Sequence, residues 1–545
     1  MYRKILQDCE WNVKRLLAHQ IMNPDSPEYG GVFDTGDGIV CDKSGLSAMS
    51  YFTCMYLNPD SRYYKNERLY KRILLCYEFS KRKQRPDGTF DLYGCNLFSA
   101  PDTAFGMKEV CKGYDTVVKY ADDDRSKALL PLYLDLIRTM ADGITAGGFH
   151  TPNHRWVISA AMGQAYRILG DEKYRQTAMR YLSEGIDCNE DGEFAERSSG
   201  VYNIVNDYSL ITIAECFDMP ELYELVSRNL MMMIQYFEPD MTVFTHNSVR
   251  QDCGKKFYAN NYFPEYLNMA YKMKNPVFFS VARQIFNEMV QRGDRLGHCI
   301  DMFMRDEELK TFSLPLVDFV QEGDFHYKNS GIVRMIRKGL TVTLLKNKPT
   351  FFFLQSGSLS LFCRIGVSYF DERHFIAEDI VEKDCEYILE YSAQSQYYLP
   401  FKEKPETSDW WQQDKSKREL LMIPAIHFRV AIRLDNGKVR MRLTTTGCDN
   451  VVFKVEMGVS ADSMIKTDNT LLKAEKGQCF YLTNGELTVS DYYNTLRISG
   501  GMYRHQFVKG LPGTVARDPD SFTIYMTGRT NVDHEFCIEA QSNPL

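Results

Sequence analysis

The chain has 545 residues, 44% hydrophobic and 25% charged, which excludes a disordered or fibrous polypeptide. Single hydrophobic cores stop growing near ~250–300 residues, so two large domains are expected. Asp and Glu (72) outnumber Lys and Arg (65) for a net charge of −7, the wrong balance for a non-specific nucleic-acid binder.

The longest bare apolar stretch, Thr350 to Leu354, reads as a buried strand and falls far short of the ~20 residues needed to cross a bilayer. Asp8 and Glu10 stand where a signal peptide would carry its apolar segment. Fifteen cysteines are scattered without a CxxC pair, a pattern of reduced thiols. A cytoplasmic protein, with neither membrane nor nucleic acid as partner, is the expectation.

Up to about residue 320, apolar residues fall at helical spacing, as in Tyr174, Ala178, Tyr181 and Leu182. Similar segments recur at Tyr64–Tyr70, Arg125–Leu130, Tyr174–Ala178, Tyr223–Val226 and Val277–Val281. Their spacing of roughly 50–60 residues is the length of a helical hairpin with its loops. Turns such as Asn58-Pro-Asp-Ser61 and Gly170-Asp-Glu172 are candidate caps. Five or six such hairpins suggest a closed or nearly closed α/α toroid, with a flat solenoid as the alternative.

Arg292 to Pro315 is the candidate linker. Beyond it the pattern turns to strands, as in Ile332–Arg337, Leu340–Leu345, Ser358–Phe362 and Val439–Leu443. Asp435-Asn-Gly437 and Thr483-Asn-Gly485 mark tight turns. The expected fold is therefore α+β and multidomain: an N-terminal (α/α) toroid over residues 1–315 carrying the catalytic site, then a C-terminal antiparallel β-sandwich over 316–545.

Two loops carry candidate chemistry. Gly147-Gly-Phe-His-Thr-Pro-Asn-His-Arg-Trp156 is a glycine-rich turn feeding a helix, and helix N-termini attract anions. Arg155 adds a bidentate carboxylate donor and Asn153 a neutral one. The plainer alternative makes Asn153 an N-cap and His154 a packing residue. About one repeat later comes Asp191-Gly-Glu-Phe-Ala-Glu-Arg-Ser-Ser-Gly-Val-Tyr-Asn203, with Glu196, Ser198 and Tyr202. In a toroid, loops one hairpin apart share a rim, which brings Tyr202 within reach of Asn153 and His154.

This order of domains, with an Asn-His pair and a downstream D-G-x-x-x-E-x-S-x-x-Y element, resembles the polysaccharide lyases of the heparinase II/III and alginate-lyase type. The resemblance implies that Asn153 and His154 neutralise a uronate carboxylate and that Tyr202 acts as base, acid or both. The H-x-H-x-x-D-type element of the heparinase sandwich is missing: His326, His374 and His427 stand apart. A structural metal in the sandwich is left open on that account, and none is required for the reaction.

The implied reaction is β-elimination at a 4-linked uronate, giving a 4,5-unsaturated uronate. Donors on the carboxylate stabilise the charge that develops as the C5 proton leaves. Asn153, with His154 or Arg155, would supply them. Tyr202 would take the proton and return it to the leaving oxygen, provided positive neighbours ease its ionisation. His154 is either a base or the group that polarises Tyr202.

Further candidates for binding an anionic oligosaccharide or polysaccharide are Asp102, Glu196, His246, Arg250 and Tyr258. Trp156 and Tyr262 are stacking candidates that read more readily as core. Homo-oligomerisation stays open. Two rivals remain: a glycoside hydrolase on the same toroid, such as an unsaturated glucuronyl hydrolase, drawing two acids from Asp102, Glu196 and Asp207, and a glycan-binding protein without catalysis.

Overall fold

Helical spacing in the first part of the chain becomes a ring of hairpins. In the computed structural model, which describes residues 1–297, 299–507 and 510–543, α1 spans Tyr2–His19 and α2 Ser44–Leu57. Next come α3 (Glu67–Lys83), α4 (Ala100–Tyr120), the single turn α5 (Asp124–Lys127), α6 (Leu130–Ala146), α7 (Pro152–Leu169) and α8 (Glu172–Leu182). They are followed by α9 (Tyr202–Phe217), α10 (Leu222–Tyr236), α11 (Phe263–Met273), α12 (Pro276–Arg292) and α13 (Ile300–Arg305). The hairpin pairs are α2/α3, α4/α6, α7/α8, α9/α10 and α11/α12, and their first members pack on one another in sequence.

The repeated segments of the sequence fall on α3, α5–α6, α8, α10 and α12, the second helix of each hairpin. Inner and outer helices differ in burial. In α8 only Tyr174 and Ala178 are buried, whereas in α9 Asn203, Asn206, Asp207 and the run Ser209–Ala214 are all buried. A helix covered on every side has no polar stripe, so its period is hidden in the sequence. Asp171 caps α8, accepting from Lys173 N at 3.0 Å, and Gly170 ends α7 in the left-handed conformation. The cap of α3 is Asn66, beyond the Asn58–Ser61 turn expected to supply it.

Residues 294–312 close the ring. Arg295 lies 3.7 Å from the Trp11 ring centroid, Asn12 donates to Gly297 O at 3.4 Å, and Phe303 packs on Tyr2 at 5.5 Å. Lys119, at the end of α4, donates to Met304 O and Arg305 O at 2.8 and 2.9 Å. The stretch expected to be a linker is thus part of the toroid, because its apolar residues Leu296, Ile300, Phe303 and Leu309 are buried in it. His298 in that stretch lies outside the described residues.

Two units result: residues 1–236 with 241–319, and residues 237–240 with the chain from Val320 onward. The division falls at Phe319/Val320, where the sequence reading set it at 315/316.

The second unit is an antiparallel β-sandwich of two nine-stranded sheets. One runs Cys479–Tyr481, Ser521–Arg529, Val452–Ser460, Leu359–Tyr369, Thr350–Ser356, Leu340–Leu345, Ile332–Arg337 and Gly323–Tyr327, with Glu372–His374 paired off this path. Its neighbours are antiparallel except Cys479–Tyr481 beside Ser521–Arg529. The other sheet has Ile426–Asp435, Lys438–Gly447 and Val532–Ser542 at its centre. Asp435 pairs with Lys438 across Asn436 and Gly437, both at positive φ, the two-residue turn that Asn-Gly favours. Phe352, Leu354, Ile365, Phe428, Val430, Phe453 and Phe536 fill the space between the sheets. Among the described residues, no helix is long and apolar enough to cross a membrane.

Candidate active site

The loops at the N-terminal ends of α4, α7, α9 and α11 come together: Asp102 and Arg250 both act on His154, and Gly200 bonds to Asp252. The loops before α9 and α11 are stitched into one body. Val249 N donates to Glu196 O at 3.2 Å, and Ser199 Oγ donates to Phe244 O at 2.7 Å. Gly200 N donates to Asp252 Oδ2 at 3.0 Å. Beneath them Glu193 accepts from Tyr236 Oη at 2.8 Å and from Asn247 Nδ2 at 3.1 and 3.2 Å. Gly192 sits at φ +100, where a Cβ would come within 2.6 Å of Arg228 O, so the Asp-Gly turn requires its glycine.

Asn153 is the second residue of α7 and is wholly buried. The N-cap is Thr151, so the capping alternative for Asn153 does not apply. Its Nδ2 donates to Glu196 Oε1 and Oε2 at 3.1 and 2.8 Å, and to Thr151 Oγ1 at 3.1 Å. The amide that was expected to meet a substrate carboxylate is thus committed to a protein carboxylate.

Glu196, 3% exposed, also lies 3.3 Å from Arg250 Nε. Burial raises its carboxyl above the ordinary range, opposed by the Asn153 hydrogen bond and the Arg250 charge.

Tyr202 opens α9 and is half-buried. Its backbone N donates to Ser198 Oγ at 3.0 Å, which fixes the first turn. The Arg250 guanidinium carbon lies 5.0 Å from the Tyr202 ring centroid. The phenol oxygen accepts a hydrogen bond from Gln251 Nε2.

His154 is held near pKa 4, mainly by burial and further by His150, Arg250 and Lys43, against the opposing pull of Asp102. It is therefore a neutral imidazole at neutral pH. His150 N donates to its Nδ1 at 3.3 Å, so the ring proton sits on Nε2.

The remaining candidates are placed otherwise. Two residues on from Asn153, Arg155 is turned by about 200° around the helix. It reaches Glu184 Oε2 at 3.3 Å and Gly185 O at 3.4 Å, and packs on Trp156, away from Tyr202. Asp102 accepts from Lys43 Nζ (2.7 Å), Ser99 Oγ (2.7 Å) and Asn96 Nδ2 (3.0 Å), a set of contacts within the protein.

The His246 ring packs on Phe244 at 5.5 Å beneath Gly254. Tyr258 is exposed, with Arg292 4.0 Å and Lys256 5.1 Å from its ring centroid. Trp156 and Tyr262 are buried, the first bonded to Asp187 at 2.6 Å and the second to Ser199 O at 2.6 Å, and neither can stack on a sugar.

Asp207 is wholly buried, and burial raises its carboxyl far above the ordinary range. Sequence reasoning missed Gln251, Lys43 and His150. Only His150, next to the Asn-His pair, carried a local signal. In the sandwich His374 Nε2 accepts from Val515 N at 3.0 Å, and His427 Nδ1 lies 2.8 Å from Ser392 Oγ. Among the described residues no three His, Cys, Asp or Glu side chains converge as a metal site would require.

No model of a known protein family matches the sequence, and no curated protein is similar enough to count as a relative. Solved structures share the fold. A Paenibacillus xanthan lyase superposes over 100% of this chain at TM-score 0.56 and 9% identity. The chain spans only 57% of that protein. A chondroitin AC lyase from Streptomyces coelicolor A3 covers 99% at TM-score 0.54 and 9% identity, matching 79% of its own length. At such identities the likeness establishes the fold: an α/α toroid followed by a β-sandwich, the architecture of these two lyases.

Proposed function

We propose that the protein is a polysaccharide or oligosaccharide lyase that cleaves a uronate-containing glycan by β-elimination. The observation that carries this reading is the convergence on Tyr202: a guanidinium over its ring and an amide donor on its oxygen, with the charge of the same Arg250 also felt by the neutral His154. The shared fold with two lyases supports it, as does the E-x-S-x-x-Y element for the heparinase II/III-like subtype.

In this reading Tyr202 removes the C5 proton and returns it to the leaving O4. Arg250 makes no hydrogen bond from Nη1 or Nη2 to the described residues, so both are available for the uronate carboxylate. His154, with its proton on Nε2, serves as a donor to that carboxylate or to Tyr202, and its depressed basicity argues against a role as base. Asn153 acts one step back: it holds Glu196, and Glu196 holds Arg250.

The placement of the acids argues against the hydrolase rival, which needs two carboxylates facing one bond. Asp102 is ion-paired with Lys43, Asp207 is wholly buried and Glu196 is paired with Arg250.

The test is ultraviolet absorbance during incubation with a panel of uronate-containing oligosaccharides. A rise from the conjugated 4,5-unsaturated uronate, lost in Tyr202→Phe, is the expected result. Release of reducing ends without that rise would move the protein to the hydrolases. Binding of oligosaccharide without turnover would make it a glycan-binding protein.

A further inference from the structure

Between α4, α9, α11 and the segment 299–305 lies a cavity of ≈ 280 Å³. It begins at Gly200 and Val201 and is lined deeper in by Lys108, Tyr208, Glu265, Asn268, Asp301 and Arg305. A second cavity of ≈ 340 Å³ shares Tyr208, Asp301 and Arg305 with it and continues toward the far ends of the inner helices. Small-molecule pockets typically start near ~300 Å³, so the space suits a monosaccharide-sized guest.

Two acceptors lining the first cavity are buried without a partner, and one lysine beside them lacks an ion pair among the described residues. Glu265 is 6% exposed and Asn268 9% exposed, and Glu265 Oε2 and Asn268 Oδ1 have no hydrogen-bond partner. Among the described residues Lys108 has no carboxylate within 4.0 Å, and its Nζ rests 3.6 Å from the Tyr208 ring centroid. The other charges are spoken for: Arg305 by Glu215 and Asp306, and Asp301 by Lys112 at 3.9 Å. Buried acceptors left open are costly, so a site of this kind takes up donors from a guest.

We infer that this cavity is a second binding site, for a small hydroxy acid whose carboxylate pairs with Lys108 while its hydroxyls donate to Glu265 and Asn268. The inference does not rest on the lyase reading. Tyr208 lies six residues beyond Tyr202 on α9, about 9 Å along the helix axis, so the two sites are neighbours on one helix with separate side chains. Burial, with the Lys112 charge beside it, holds the Lys108 ammonium below its ordinary range, and burial holds the Glu265 carboxyl above its own, so both groups are poorly solvated where they stand.

The test is calorimetric titration of the full chain with D-glucuronate, with D-glucose and acetate as partial mimics. Glucuronate is expected to bind at least about tenfold more tightly than either mimic, since each lacks one half of the recognition. Lys108→Met should weaken it by a further factor of about ten or more, and Tyr202→Phe should leave it within about twofold. If Lys108→Met fails to fold, Asn268→Ala removes an acceptor that has no partner to lose, and should weaken binding in the same way. Absence of glucuronate binding to the wild type would overturn the inference: water alone fills the cavity. So would binding lost in Tyr202→Phe but kept in Lys108→Met or Asn268→Ala, which would place the ligand at the catalytic rim.

Discussion

Arg250 stands over Tyr202, its guanidinium carbon 5.0 Å from the ring centroid, and the same side chain brings Nε to 3.3 Å from Glu196. One cation thus serves the candidate base on one side and a buried carboxylate on the other. Removing it withdraws the charge that meets the developing negative charge of the transition state. Arg250→Met is expected to lower turnover on a uronate substrate by about 10²–10³-fold, the usual cost of one such donor. Arg250→Lys should recover only part of this, because an ammonium lacks the planar fork. Single-turnover absorbance traces of the two variants would check the order.

The Asn153–Glu196 contact separates a positioning role from a catalytic one. If Asn153 orients Glu196, Asn153→Ala costs stability as well as rate, because a buried carboxylate loses its amide donor, a penalty of about 1–3 kcal/mol. Asn153→Asp should be worse at neutral pH, placing a second carboxylate against Glu196, and should regain part of its melting temperature as the pH falls and one of the two is protonated. A purely catalytic Asn153 would leave the melting temperature of the Ala variant unchanged, so thermal unfolding at pH 7 and pH 5 decides the matter.

The same contacts explain which parts of the site were legible in the sequence. Loops one hairpin apart share a rim in a toroid, so Asn153, Glu196, Tyr202 and Arg250 could be grouped from their spacing alone. Their partners could not. Whether Asn153 faces a substrate or Glu196 depends on a buried contact 43 residues away in sequence. Arg155 misled because adjacency in sequence is divergence on a helix: about 100° per residue carries it off the face that Asn153 occupies. The repeat was visible through the half-exposed outer helices, whereas α9, buried on all sides, gave no period. The Lys108–Glu265 cavity was invisible for the same reason, since its residues come from inner helices with no local motif.

Asp102 provides a control against the hydrolase reading. Burial raises its carboxyl, but the Lys43 charge and the bonds from Lys43, Ser99 and Asn96 outweigh it and hold the group below its ordinary range, so it stays ionised and is a poor proton donor to a glycosidic oxygen. Asp102→Asn should therefore destabilise the protein by about 1–3 kcal/mol, leaving the partly buried Lys43 without its counter-charge. At a temperature where the variant is folded, kcat should stay within about twofold of wild type. A loss of several hundredfold in kcat with an unchanged melting temperature would instead make Asp102 a catalytic acid.

His154 gives the chain a stability slope on the acid side. Its folded-state pKa, near 4, lies below the ordinary 6.5, so between these values the unfolded chain binds a proton that the folded chain does not. Stability therefore rises with pH across that window, and the contribution is lost progressively as the pH falls from about 6.5 toward 4. Replacing the ring with a side chain that does not titrate removes this term. His154→Gln should flatten the dependence of melting temperature on pH between 6.5 and 4 while leaving the slope above pH 7 unchanged. Differential scanning calorimetry of both proteins across that range tests the point. Parallel curves would mean that His154 titrates normally and is protonated in mild acid. In that case the imidazolium, with both nitrogens carrying protons, would no longer accept from His150 N, and its assignment as a neutral donor to the substrate carboxylate would fall with it.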